Sequence, residues 1–172
     1  MSKTKAISNK KIVSNNQINS INKYYNVAKI LLAMTPFMCL MYLSMEGSKT
    51  GVLMPELIQQ NPKFTIMFLI SMINPFIAYL LMFIHRKIEE GDGEYAVTNL
   101  TLFVIEEIML NNVLYAILFG FILYKTTKTY NVTIKDSFEK KSKEKFLMTI
   151  SGSLVVLVLA GICLFATIRI NM

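Results

Sequence analysis

Long apolar runs alternate with short polar stretches along this chain, and they divide it into four segments at residues 27–45, 64–84, 99–124 and 146–168. Each is near the length at which a helix crosses a bilayer, since about 20 apolar residues at 1.5 Å rise span the hydrocarbon. The expected fold is all-α, a polytopic membrane bundle of four transmembrane helices. No internal repeat of solenoid length is present. The seven glycines and four prolines are too few for a linker, so one membrane domain over 27–168 follows a separate tail at 1–26.

Local signals refine the segments. Pro36 sits mid-way along the first and leaves the Leu32 carbonyl without its usual donor, so a kink is expected there. Between the first two segments, Gly47 and Gly51 break the helix. The apolar patch around Pro55 is too short to cross and reads as an interfacial or re-entrant turn. Asn61-Pro62 is a helix start. The second segment carries Ser71 and Asn74-Pro75 at its centre and ends in His85-Arg86-Lys87, a basic interfacial stop. Four acids and two glycines over 88–98 read as a solvated turn, with a helix starting near Thr98 or Asn99. After the third segment, the 125–145 loop holds seven lysines. Its first part, 126–134, alternates as an extended strand would, and Asp136 to Glu139 forms a helix-capping pattern leading into the fourth segment. Ala116 and Gly120, and Gly152 and Ala160, are small-residue positions that let another helix approach closely.

Charge changes the picture. Eighteen Lys and Arg face eleven acids, a net +7. The tail holds five lysines and no acid, and Ile18, Ile21 and Tyr25 give its end the spacing of a helix lying on a lipid surface. Such a surplus suits contact of tail and loop with anionic headgroups. Nucleic acid is not an expected partner, because no basic soluble module is present. The first apolar run begins too late for a secretory signal, and no cleavage site follows it. Cys39 and Cys163 lie inside apolar segments as small apolar residues. No metal-ligand spacing occurs, and no cofactor is expected.

Orientation follows the Lys and Arg balance of the loops. With four spans the two sides carry nine each, and the rule expresses no preference; such a balance would also suit insertion in both orientations. If the third segment enters and leaves on one side, the split becomes fifteen against three. No Gly or Pro interrupts that segment before Gly120, so a turn has no obvious place and four spans stand as the expectation.

The chemistry concentrates in the third segment, which buries Glu106, Glu107, Asn111 and Asn112 in an apolar run. A carboxylate at membrane depth costs about 2.5–3.5 kcal/mol on insertion scales. An antiparallel neighbour would bring Asn74 to similar depth, so Asn74, Glu106, Glu107 and Asn111 form the candidate polar cluster. A Glu-Glu pair also occurs in the intramembrane CAAX-type prenyl-peptide proteases. Here Asn111 stands where that motif has arginine and no histidine follows, so the comparison fails. Without a nucleophile elbow, phosphate loop or metal motif, no enzyme is expected. The expected function is a multi-pass protein of a cell membrane acting as an accessory, assembly or immunity-type factor through a membrane partner or a second copy. The alternative is a small transporter or channel subunit using Glu106 and Glu107 as a proton or cation site. The richness in Lys, Asn and Ile suits an AT-biased bacterial genome.

Overall fold

The computed structural model describes residues 15–135 and 143–171, with side chains over 20–135 and 150–170. Among them the chain is helical, with no strand: α1 (Asn15–Thr50), α2 (Met54–Gln60), α3 (Pro62–Glu89), α4 (Gly93–Met109), α5 (Val113–Tyr130) and α6 (Lys143–Asn171). The helical bundle expected from the apolar runs is present. Three helices are long and apolar enough to cross a membrane: α1 from Ser20, α3, and α6 from Ile150 to Ile170.

The third apolar segment differs from expectation. It is not one helix but two, α4 and α5, folded back on each other. Asn111 takes the left-handed conformation, φ 59°. The Asn111 N–H donates to Ile108 O (3.0 Å) and the Asn112 N–H to Glu107 O (2.8 Å). That is the Schellman ending, with Asn in the position glycine usually takes. A short polar side chain is tolerated there where most others are not. The α3–α4 turn has the same form. Gly91 has φ 87°, its N–H donates to Ile88 O, and the Asp92 N–H donates to Lys87 O. The arms pair antiparallel. Phe103 and Phe119 meet with ring centroids 5.3 Å apart. At the base, a Cβ on Gly93 would come within 3.1 Å of Tyr130 Cβ. The α4 arm has 17 residues, about 25 Å at 1.5 Å per residue. That is short of a ~30 Å hydrocarbon layer.

Other boundaries shift for local reasons. α4 begins at Gly93 rather than near Thr98, because Asp92 caps it by accepting from the Tyr95 N–H at 2.9 Å. Residues 126–130, expected to be extended, continue α5. In the exposed α3–α4 turn Lys87 donates to Glu90, which holds that carboxyl below its ordinary range. The end of the tail is not a separate surface helix. α1 already runs from Asn15, and Ile21 and Tyr25 are buried in the bundle. Ile21, Tyr25, Ala28, Leu32, Cys39 and Leu43 form one buried stripe, while Ile30, Phe37 and Met41 on the other faces are more than 60% exposed. A helix apolar on both kinds of face is one that meets lipid. Pro36 and Pro75 lie inside unbroken helices. The capping pattern at Asp136 lies outside the described residues.

The short α2 starts with Pro55 in its first turn and packs Leu57 against Cys39 and Leu43. Asn61 accepts from the Lys63 N–H to start α3, as its sequence foretold. α3 is central and packs against α1, α4 and α6. Gly152 lets α6 approach it: a Cβ there would stand 2.6 Å from Leu80 Cδ2. Gly152→Leu is therefore expected to destabilise the bundle by about 1–3 kcal/mol, seen as a lower melting temperature in detergent. An unchanged melting temperature would contradict this packing. Gly120 differs, since a Cβ there meets nothing among the described residues.

Candidate functional site

The topology sorts the ends of the elements. The starts of α1, α4 and α6 and the ends of α3 and α5 lie at one end, rich in lysine. The hairpin tip points to the other, where α1 ends, α3 begins and α6 finishes. Because the hairpin stops short, space is left beyond its tip. A cavity of about 450 Å3 fills it, lined by Cys39 and Tyr42 of α1, Asn74 of α3, Asn111 and Asn112 of the tip, and Thr167 of α6. The exposed Lys63 marks its mouth. Met38, Ile66, Met67 and Leu110 add apolar wall.

Glu106 and Glu107 lie one turn behind that tip. Each is 0% exposed, and none of their four carboxyl oxygens has a hydrogen-bond partner among the described residues. Buried polar groups are nearly always paired, and a pair of adjacent orphan carboxyls is a rare departure from that rule. Asn74 is also 0% exposed, with both Oδ1 and Nδ2 unpartnered, and Asn112 Nδ2 shares that state. Asn112 occupies the cap position of α5 as Asp92 does in α4, with matching backbone angles, yet its side chain makes no cap bond. Its Nδ2 has no hydrogen-bond partner among the described residues.

Of the four residues expected to cluster, Asn74 and Asn111 share the cavity wall. Glu106 and Glu107 stand behind it, and no hydrogen bond joins Asn74 to either. Asn112 joins the site, although its sequence position beside Asn111 was the only sign of it. Asn99, two turns before Glu106 on the same face of α4, accepts from Ser153 of α6 at 2.7 Å and fixes that face against α6. On α5, Tyr115 donates to Leu31 O (3.2 Å) and bonds Thr35 (2.6 Å), pinning the hairpin to α1.

His85 is more than the neighbour of a basic stop. Lys29 Nζ donates to its Nδ1 at 3.2 Å, so the ring proton sits on Nε2 and is donated to Asn22 Oδ1 at 2.9 Å. Tyr25 stacks on the ring at 5.0 Å and bonds Thr126 at 3.2 Å. These contacts tie α1, α3 and α5 together at the lysine-rich end. They form a structural clasp, distant from the carboxyl pair. Among the described residues, no three His, Cys, Asp or Glu side chains converge to hold a metal.

The chain matches no family model, and neither a curated protein nor a solved structure is similar to it.

Proposed function

We propose that this membrane protein binds a proton or cation at Glu106 and Glu107 and carries it as a small transporter or channel subunit. The observation that carries the reading is the pair of fully buried carboxyls without a hydrogen-bond partner among the described residues. Two adjacent acids in low dielectric need a compensating positive charge, which a bound proton or cation supplies. A structural role is a poor alternative, because a helix-joining carboxyl would show its hydrogen bond. The hairpin topology supports an orientation as well. Counted over the sequence with the third segment folded back, the segments on one side carry fifteen Lys and Arg and those on the other three. By the positive-inside rule the lysine-rich end is cytoplasmic, facing anionic headgroups, and the cavity opens outward.

The test is flux in liposomes holding the purified chain, a pH-sensitive dye and an imposed potassium diffusion potential, with sodium and potassium uptake measured in parallel. Wild type is expected to carry one of these ions. The double variant Glu106→Gln/Glu107→Gln is expected to lose at least ~100-fold of that rate, the scale of removing a group essential to charge transfer. Full flux in the double variant would sink the reading.

A second reading keeps the chain as an accessory, assembly or immunity-type protein. Gly120, which faces open space beside the exposed Ile117 and Phe121, favours it. Small residues on a lipid-facing helix suit a partner helix. Recovery of a stoichiometric membrane protein with wild type, lost in Gly120→Leu, would support this role.

A further inference from the structure

We infer that the ion held by the carboxyl pair is a proton, and that it reaches the pair only from the Lys63 end, through the cavity and past the amides of Asn74 and Asn112. The inference rests on the reading of Glu106 and Glu107 as a charge-binding pair and adds the identity of the ion and its route.

The route follows from the asymmetry of the surroundings. Toward the lysine-rich end the pair is sealed by fully buried side chains: Leu100 and Phe103 on α4, Phe119 and Ile122 on α5, and Ile77 and Leu81 on α3. Toward the other end only one helical turn separates Glu107 from the cavity wall at Leu110 to Asn112. At about 450 Å3 the cavity has room for several waters, and water needs polar partners to stay. Asn74 and Asn112 line that space, and among the described residues Asn74 holds an unpartnered buried acceptor and donor and Asn112 an unpartnered buried donor. The Asn112 side chain makes no cap bond, and Asn112 lies on the cavity wall five residues from Glu107.

The identity follows from the ligands. A hard metal cation takes six or more oxygens. Here two carboxyls stand without a converging third acidic group among the described residues. Among the described residues the titratable groups lining the cavity are Cys39, Tyr42 and Lys63, and the charged one of these, Lys63, repels cations at the mouth. The helices packed on α4 bring Tyr79, Tyr115 and Cys163 to membrane depth, and none bonds either Glu. A proton needs only a carboxyl oxygen and a chain of waters, and Lys63 does not block its relay.

Carbodiimides test this, because they add to protonated carboxyls. Membrane vesicles of both orientations are treated with lipophilic dicyclohexylcarbodiimide or with an impermeant water-soluble carbodiimide. Adducts on the peptide holding Glu106 and Glu107 are then counted by mass spectrometry. The expected result has three parts. The lipophilic reagent modifies the pair, more slowly as pH rises. The impermeant reagent modifies it at least tenfold faster from the Lys63 side. Asn74→Leu/Asn112→Leu slows only the impermeant reagent by tenfold or more, the unchanged lipophilic rate reporting an intact fold. Equal rates from both sides, or no effect of the Asn variant, would overturn the route while leaving the pair as the charge site. Protection by millimolar sodium or calcium would overturn the proton assignment. No adduct with either reagent would overturn the underlying reading as well.

Discussion

Replacing Glu106 and Glu107 together by leucine is expected to stabilise the bundle by about 2–6 kcal/mol, because a buried polar group without a partner costs about 1–3 kcal/mol and more when charged. Both side chains are completely buried, and their four oxygens bond nothing among the described residues. Leucine is of comparable size and needs no partner. Most substitutions of two buried residues lower stability, so a gain here would be diagnostic. It is the signature of a site kept for function at the expense of the fold. The measurement is reversible unfolding in mixed micelles of mild and denaturing detergent. A loss of stability would mean that the carboxyls have partners and hold helices together, as the accessory reading requires.

Changing the tip is expected to have an equally large effect of another kind. Asn111 has φ 59°, a conformation that costs a side chain with a Cβ about 1–2 kcal/mol and suits Asn and Gly best. Asn111→Gly should keep the hairpin and its stability. Asn111→Leu/Asn112→Leu removes both the residue that tolerates the turn and the polar end of the hairpin. It leaves an apolar run from Leu110 to Phe119 with no Gly or Pro to interrupt it. The expected result is a single continuous helix that crosses the bilayer and carries Thr129 to the opposite side. A double variant that keeps Thr129 where it was would show that packing of α4 and α5, not the Asn pair, sets the fold.

These two predictions mark where the sequence was legible and where it was not. The apolar runs that became α1, α3 and α6 could be read directly, because each keeps its apolar pattern over a membrane length. The Asn61 cap could be read for the same local reason. The hairpin could not, although its turn repeats the one at Gly91. At Glu90-Gly91-Asp92 the glycine stands among acids and reads as a turn. At Leu110-Asn111-Asn112 the same backbone geometry is built from asparagines inside an apolar run, where they read as polar side chains of a spanning helix. The Lys and Arg balance of fifteen against three pointed to the hairpin, but no breaker residue seconded it. The site was visible as residue types, since carboxyls at membrane depth are conspicuous. Its arrangement was not. That Asn74 shares a cavity with Asn111 depends on where the hairpin stops. The clasp at His85 joins Asn22 and Lys29 from about 60 positions away, a pairing no local pattern encodes.

The cavity and the one-sided route to the carboxyl pair both depend on the hairpin, and the sidedness of its two ends tests it most directly. Single cysteines are placed at Glu90, just before α4, and at Thr129, near the end of α5, with Cys39 and Cys163 replaced by alanine. A third at Ser48, near the end of α1, serves as the opposite-side control. Intact cells and lysed cells are labelled with an impermeant maleimide. The expected result is that Glu90→Cys and Thr129→Cys behave alike, protected in intact cells and labelled after lysis, while Ser48→Cys is labelled in both. Labelling of Thr129→Cys in intact cells with Glu90→Cys protected would make the third segment a spanning helix. It would remove the cavity beyond the tip, and with it the one-sided route to the carboxyl pair.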